Sequence, residues 1–505
     1  MKIAFICQEH ESLGVEYLSA CLKKAGRRVD LVFDPNLFGA HLSCRHPVRR
    51  PFDTRRMLLT EALRGDYGLA CFSATTDQYS WACGIARGLK QEDPRLPIVF
   101  GGVHVTAVPE LVIAEPYIDH VCVGEGEEAL VELAERLEKR QDTSSIRNIW
   151  SKKDGRIIKN APRPLLQDLD NLPFPDKELF SRAYPGFSQS YMAMASRGCP
   201  YLCSFCFNST MIDIYGSGWG RVRRRSVANV IKELKDGVRR YRPRLIFFVD
   251  DVFTSDVKWL EDFSAQYPRH ISVPYFIFTH PLLITEETVA LLKQSGCSTV
   301  SLGIQTADST LRKEVLLRPE SNDQIERAVR LLDKAGIFVH TTSIFGLPGQ
   351  GTQSMLKDAE FFNRNSVDFP TIYWLCYYPK TRICDIAVAR GAQSPSQIRE
   401  VEMGKWARPL SVTDATYQRE GAKIRALIYV NMLLPRRAGA FMIRRRLYRF
   451  LPAPAVLYFP MIALLRFSRD LRKRCYAPLH LLFSLKYHLF FMLRIPFRRL
   501  QALTR

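Results

Sequence analysis

The sequence predicts an α/β chain: a doubly wound parallel sheet, a partial (β/α)6 barrel and a basic helical C-terminal tail. Three observations carry this reading. Short apolar runs alternate with stretches of helical period across residues 1–135 and again across 185–390. Glycines, hydroxyls and carboxylates cluster just past the apolar runs, where parallel sheets and barrels hold their ligands. Residues 391–505 follow neither rhythm, and most of the net charge of +21 lies there.

The first segment opens with KIAFIC (2–7), followed by the helical stretch GVEYLSACLKKAGRR (14–28). VDLVF (29–33), YGLACFS (67–73), PIVFGG (97–102) and HVCVGEG (120–126) are further short apolar runs bounded by turn signals. Helices are expected at ACGIARGLKQEDP (82–94) and EEALVELAERLEKRQ (127–141). This alternation is that of a Rossmann-like sheet over residues 1–135. Its strand ends carry Glu9–Gly14, Ser73–Thr76, Gly101–His104 and Gly124–Glu127. Glycine there lets the backbone approach a large ligand closely.

Residues 136–184 read as a linker, with a hairpin around Asp154-Gly155 and a proline-punctuated strap, LLQDLDNLPFPDKELF (165–180). Residues 185–390 then repeat the strand–helix rhythm. YMAMASRG (191–198), LIFFVDD (245–251), VPYFIFTH (273–280), TVSLGIQT (299–306), GIFVHTTSIFGLPG (336–349) and TIYWLCYYP (371–379) are the strands of a partial TIM-type barrel. VANVIKELKDGVRRY (227–241) is amphipathic, with apolar residues at 227, 230, 231, 234 and 238. The strand ends carry Asp250, Asp251, Thr279, His280, Gln305, Gly346, Pro348 and Gly349. The two aspartates either meet a ligand or cap a helix. His280, followed by a proline, has both a structural and a catalytic reading. Tyr373, Trp374, Tyr377 and Tyr378 either line a substrate mouth or close the barrel.

Cys199, Cys203 and Cys206 stand in SRGCPYLCSFCFNS (196–209) with the spacing C-x3-C-x2-C. Disulfides fit poorly, because three is an odd number and so short a loop strains most pairings. Met1-Lys2 runs straight into an apolar strand, and the other cysteines of the total of 13 are scattered, so a reducing, cytosolic setting is expected. A closed zinc site wants a second ligand pair, and no C-x2-C or H-x3-H follows. Three thiolates on a [4Fe–4S] cube would leave one iron open to an exogenous ligand. Three buried loop cysteines are the plain alternative.

The triad, with Phe205 before its last cysteine, resembles the radical S-adenosylmethionine enzymes. The resemblance implies that Cys199, Cys203 and Cys206 hold the cluster and that S-adenosylmethionine chelates the fourth iron. One electron then splits the sulfonium to a 5′-deoxyadenosyl radical. By the same resemblance Phe205, Asp250, Asp251, Gln305, Gly346, Pro348 and Gly349 cradle S-adenosylmethionine. The first 135 residues resemble the cobalamin-binding domain that precedes many such barrels. Ser73-x-Thr75 and Gly101-Gly102 match its serine and double-glycine positions. The implied cobalamin contacts are Glu9, Gly14, Ser73, Thr75, Gly101, Gly102, His104, Gly124 and Gly126. The first loop departs from the D-x-H-x-x-G pattern: Glu11 stands at the histidine position, so no histidine is expected below cobalt. An orphaned domain that binds nothing is the alternative.

From Pro435 to Arg505 there are 16 Lys/Arg against one acid, Asp470, which leaves +6 for the rest of the chain. The apolar run Leu451–Leu465 is broken by prolines at 452, 454 and 460, too short to span a bilayer comfortably. Basic residues interleaved with long aliphatic stretches suit a membrane interface or a solvated face on helices capping the barrel. Nucleic acid ranks below these, since no helix-turn-helix, RRM or zinc-finger pattern appears. The expected protein is a cytoplasmic enzyme, peripheral at the inner membrane surface, that methylates an unactivated carbon of a lipophilic small molecule. Its electrons would come from a flavodoxin or ferredoxin. A cobalamin-dependent radical cyclase is the alternative chemistry, and a non-catalytic membrane-surface binding protein the alternative class. A methylthiotransferase is set aside, because the N-terminal cysteines sit within strands and helices and the tail has no run of short strands.

Overall fold

A computed structural model describes residues 1–37, 54–405 and 415–453, together with 473, 486–492 and 494. The first domain is built on β1 (Lys2–Gln8), β2 (Arg28–Asp34), β3 (Leu69–Ser73), β4 (Ile98–Gly101) and β5 (His120–Cys122). They are parallel in the order β2-β1-β3-β4-β5. Strand side chains alternate between faces. Ile3, Phe5 and Cys7 therefore pack with helices Leu13–Lys24 and Glu127–Glu138, while Ala4 and Ile6 pack with helices Arg55–Arg64 and Thr76–Glu92. The strand order reverses between β1 and β3, which makes their ends the expected ligand crevice. Helices Val103–Ala107 and Pro109–Ala114, not anticipated from the sequence, carry the chain from β4 to β5.

The linker holds more structure than a strap. β6 (Ile149–Lys153) and β7 (Arg156–Ile158) form the hairpin expected at Asp154-Gly155, and β6 pairs antiparallel with β5, extending the first sheet to seven strands. Further on, Phe180, Tyr184 and Phe187 pack into the core of the first domain.

The second domain opens with β8 (Ser190–Ala193) and β9 (Ser196–Arg197); β9 pairs antiparallel with β10 (Arg223–Arg224). β11 (Leu245–Phe248), β12 (Tyr275–Thr279), β13 (Cys297–Gln305), β14 (Phe338–Phe345) and β15 (Phe369–Trp374) follow. With β8 they make a six-stranded parallel sheet in the order β8-β11-β12-β13-β14-β15, the expected partial barrel. Its core holds Ile246, Phe248, Ile277, Val300, Leu302 and Val339 against the surrounding helices. Helix Ala415–Asn431 covers the β15 edge, with Tyr429 stacked on Phe369 at 6.3 Å.

Ion pairs join the domains. Arg197 bonds Glu125 at 3.1 Å and Glu127 at 2.5 Å; Arg223 bonds Glu125 at 2.8 Å. Lys177, buried in the strap, reaches Glu11 at 3.1 Å and Glu16 at 2.6 Å. Among the described tail residues, Tyr487 places its hydroxyl 3.1 Å from the Glu9 carbonyl and 2.9 Å from that of Pro35. The run expected at Leu451–Leu465 and most of the sequence beyond it lie outside the described residues. No described helix is long and apolar enough to cross a membrane.

Candidate active site at the facing strand ends

The cysteine loop leaves β9 and ends at Cys206, the residue that precedes helix Phe207–Tyr215. Gly198 is obligatory here: at φ +100° a side chain would meet the Trp219 carbonyl at 2.6 Å. Ser204 pins the loop to the barrel. Its N–H donates to the Leu316 carbonyl at 3.1 Å, its hydroxyl donates to Val315, and its carbonyl accepts from Ile383 at 2.9 Å. Cys199 and Cys203 are buried and Cys206 is half-buried. Burial pushes the Cys199 thiol up to about 12 and that of Cys206 to about 11; Cys199 feels the charge of Cys203 and Cys206, and Cys206 that of Cys203. No three described His, Cys, Asp or Glu side chains converge to chelate a single ion. A cube gives each thiolate its own iron corner, so sulfurs that neighbour one another without converging fit it.

Behind Cys203 lies a charged network that the sequence reading missed. The Arg318 guanidinium donates to Cys203 Sγ at 3.6 Å, to Glu320 at 2.6 Å and to the Gly303 carbonyl at 2.8 Å. His280 Nε2 stands 3.3 Å from Glu320 Oε2, close but not aligned as a hydrogen bond. The His280 ring stacks on Tyr201 of the cysteine loop at 3.8 Å. Burial alone would raise the Glu320 carboxyl. His280 and the Arg318 charge overcome it and hold the group down at about 2. His280 is lowered in turn, by burial first.

The paired aspartates separate in role. Asp250 is buried and accepts from the Ala195 N–H at 3.0 Å and from the Ser196 hydroxyl, so it holds the start of the cysteine loop. Asp251 is exposed by surface area, yet protein crowds it enough to push its carboxyl up to about 6, against a hydrogen bond from Asn208 and with the Asp250 charge adding.

Gln305 ends β13 at φ +64°, a left-handed conformation rare for a residue with a side chain, and sits at a register shift against β14. Its amide reaches Thr342 at 3.4 Å. Gly346 and Gly349 both lie at φ +83°. The Gly346 and Leu347 N–H groups donate to the Gln350 side chain at 2.7 and 3.2 Å, so this turn is braced from within. Pro348 is buried, and Phe205 packs toward Leu311 and Val315 rather than standing alone. Several buried polar atoms of this rim find no described partner: Thr341 Oγ1, Ser343 Oγ, Gln350 Nε2 and Arg224 Nη1. Thr341 and Ser343 lie within β14, Gln350 past its end and Arg224 in β10, and a polar ligand would satisfy such orphans.

The first sheet faces this rim. Asp77, at the start of helix Thr76–Glu92, adds to the burial that raises Cys376 and Tyr378 beyond β15. A side chain at Gly124 would collide with the Tyr215 hydroxyl at 1.7 Å, so the β5 loop abuts the helix after the cysteines. Val103 at the start of helix Val103–Ala107, Leu202 in the cysteine loop, Tyr373 near the end of β15 and Tyr378 just beyond it are exposed apolar residues. Tyr377 is buried, and Trp374 packs on Tyr417. A cavity of 450 Å³ lies between the strap at Leu166–Pro173 and the β5 end, lined by Glu125, Glu127 and Tyr215, and one of 330 Å³ lies farther along the strap at Pro173–Glu178.

The positions assigned to cobalamin fall into two groups. Ser73, Thr75, Gly101 and Gly102 form a closed rim at the ends of β3 and β4. Ala74 N–H donates to the Gly101 carbonyl at 2.8 Å, and Gly102, at φ +98°, could carry no side chain without meeting the Ala74 backbone at 2.8 Å. Gly126 precedes helix Glu127–Glu138 and Gly14 lies in the first turn of helix Leu13–Lys24. His104 is set apart. It is buried, bonded through Nδ1 to Thr76 at 3.1 Å and packed on Tyr79 at 4.2 Å. Burial lowers it to about 4, and Nε2 has no described partner. Glu9, at φ +68°, has its carboxylate on Asn36. Glu11, in the place of an axial histidine, is committed to Lys177.

Comparison with known proteins finds matches in both parts of the chain. Residues 194–362 match the radical SAM superfamily model, and residues 3–134 match the B12 binding domain. A Pyrococcus horikoshii protein described as an uncharacterized methyltransferase is 30% identical over 328 residues, 64% of this chain and 70% of that one. The anaerobic magnesium-protoporphyrin IX monomethyl ester cyclase of Synechocystis sp. is 25% identical over 68% of each chain. The hopanoid C-2 methylase of Rhodopseudomonas palustris is 25% identical over 62% of this chain and 59% of its own. In fold, the chain is similar to the cobalamin-dependent S-adenosylmethionine radical enzyme OxsB, with a TM-score of 0.68 at 14% identity over 99% of this chain and 80% of that one. It is also similar to the methyltransferase TsrM of Kitasatospora setae, with a TM-score of 0.62 at 17% identity over 78% and 77%.

Proposed function

Because this chain belongs to the radical S-adenosylmethionine enzymes that carry a B12-binding domain, we propose that it methylates an unactivated carbon of a lipophilic small molecule held between its two rows of strand ends. The observation that carries this reading is the juxtaposition itself. The cysteine loop opens at the barrel rim, the β5 loop of the first sheet abuts Tyr215 at the end of the helix that follows the cysteines, and the Asp77 charge, just past β3, is felt by Cys376 and Tyr378 beyond β15.

Cys199, Cys203 and Cys206 would hold the [4Fe–4S] cluster, and Ser73, Thr75, Gly101 and Gly102 would border the cobalamin. When bound, these groups supply the electron that splits S-adenosylmethionine and the methyl group that is transferred. The chain's own residues hold the geometry. Arg318 directs positive charge at Cys203 Sγ, and Glu320 fixes Arg318. Asp251 and the Gln305 amide are the groups offered to the ammonium and ribose of S-adenosylmethionine, while Asp250 fixes the loop from behind. Thr341 and Ser343 offer hydroxyls from inside β14. Val103, Leu202, Tyr373 and Tyr378 suit an apolar substrate better than a charged one.

A one-electron donor of the flavodoxin or ferredoxin kind, a cytoplasmic setting and a peripheral membrane contact complete the proposal. Anaerobic protein reconstituted with iron, sulfide and hydroxocobalamin should turn brown and, given reduced flavodoxin or dithionite as electron source, release 5′-deoxyadenosine from S-adenosylmethionine. It should also pass labelled methyl to an apolar acceptor. Radical formation with no methyl transfer to any acceptor would favour the cyclase chemistry instead. Colourless, inert protein that is well folded would sink both.

A further inference from the structure

Between Met432 and Ala453 the only charged residues are six arginines, and Tyr448 is the only other polar side chain. Helix Arg436–Arg444 turns Gly439 and Ile443 inward, where Asn363 and Asn431 leave no room for a side chain on Gly439. Phe441 is on the opposite face, 50% exposed, with Arg437 one turn before it and Arg444 and Arg445 one turn after. Residues three and four apart share a helix face, so the ring sits among three guanidiniums. Arg445 lies over it at 5.9 Å. Leu433, 50% exposed, and Phe450, 84% exposed, flank the helix. All six arginines are exposed, and none meets a described carboxylate.

We propose that this face docks the enzyme on an anionic lipid surface. Unpaired arginines need anions, and the apolar side chains among them need a medium that takes them out of water. A lipid headgroup layer over acyl chains supplies both at once. A nucleic acid would satisfy the guanidiniums alone: the segment has no Asn, Gln, Ser or Thr to read bases, and Leu433 would remain wet. The inference goes beyond the proposed reaction and does not depend on it, since vesicle binding and S-adenosylmethionine cleavage are read separately.

The test is flotation of the full-length protein with vesicles of phosphatidylcholine and phosphatidylglycerol, beside vesicles of phosphatidylcholine alone and a DNA duplex. Binding is expected only to the anionic vesicles and should weaken with salt. Each of Arg437→Gln and Arg445→Gln should lower partitioning about fivefold. The paired change Phe441→Ser, Phe450→Ser should lower it about tenfold or more at unchanged charge. Arg437→Lys should keep binding, and unchanged thermal melts will show that these surface variants fold. Three results would overturn the proposal: no vesicle binding, vesicle binding that survives all four changes because another part of the tail carries it, or binding to the duplex with inert vesicles.

Discussion

At the end of β4, Gly102 takes φ +98° and lets two loops close on one another; at the end of β13, Gln305 is held at φ +64° without being glycine. The two rims differ in this way along most of their length. In the first domain the strand ends satisfy themselves: Ala74 bonds Gly101, Thr75 bonds Gln78 at 3.2 Å, Gln78 bonds the Gln8 carbonyl at 3.1 Å, and His104 bonds Thr76. Glu9 is left-handed too, but its N–H is bonded to Asp34 and its carboxylate to Asn36. The barrel rim instead keeps strain at Gln305 and unpaired polar atoms at Thr341, Ser343, Gln350 and Arg224. Strain and orphaned groups persist where the rest of the fold imposes them, and a ligand is what such groups await. The first rim is largely self-satisfied, with His104 Nε2 as its described orphan, and the second holds more unpaired groups.

Five changes would break or sharpen that contrast, the largest first. Cys203→Ala should abolish both the brown colour and 5′-deoxyadenosine release while the chain still folds; retained cleavage would refute the cluster assignment. Glu320→Ala strips the buried Arg318 of its partner. It should cost about 3–5 kcal/mol in urea unfolding, as for other broken buried pairs. Gly102→Ala sets a methyl against the Ala74 backbone at a left-handed φ. It should cost about 2 kcal/mol or more and loosen cobalamin retention with little effect on iron content.

The fourth change concerns Asp358, whose buried carboxylate accepts from the Ala307 N–H just past Gln305. Burial pushes this carboxyl from its ordinary 3.8 up to about 7, although the Ala307 and Thr306 hydrogen bonds oppose the shift. Between those values the folded state keeps a proton that the unfolded chain has released. Stability should therefore fall as pH rises through that window, by up to about 1.4 kcal/mol per pH unit. Asp358→Asn should flatten the slope in urea titrations run from acid to neutral pH; an unchanged slope would show that the proton sits elsewhere. Last, Gln305→Gly should relieve its backbone and add about 1 kcal/mol of stability while weakening S-adenosylmethionine binding, a trade expected only of a strained functional residue.

The runs that became β1–β5 and β11–β15 were legible because each is apolar, short and bounded by turn residues. The cysteine triad was legible because its signal is local spacing. Arg318 and Glu320 were not. They lie in an ordinary charged stretch, RKEVLLRPE (312–320), and their partners Cys203 and His280 are 115 and 40 residues away. Only the barrel brings them together. The same holds for Glu125 and Glu127, read as part of a glycine loop, which turn out to anchor Arg197 and Arg223 across the domain boundary. Nothing in the strap's local sequence marks Lys177, because its burial between Glu11 and Glu16 depends on residues more than 160 positions upstream. Asp250 and Asp251, adjacent in sequence, were read as a pair, but in the turn past β11 one is buried against Ala195 and Ser196 and the other is exposed.

Tyr487 touches the Glu9 carbonyl across 478 residues of chain. The hydroxyl that steadies the loop after β1 is therefore supplied from beyond both sheets in the sequence. A chain truncated before Tyr487 would keep every strand of the first sheet but lose that donor to the Glu9 and Pro35 carbonyls.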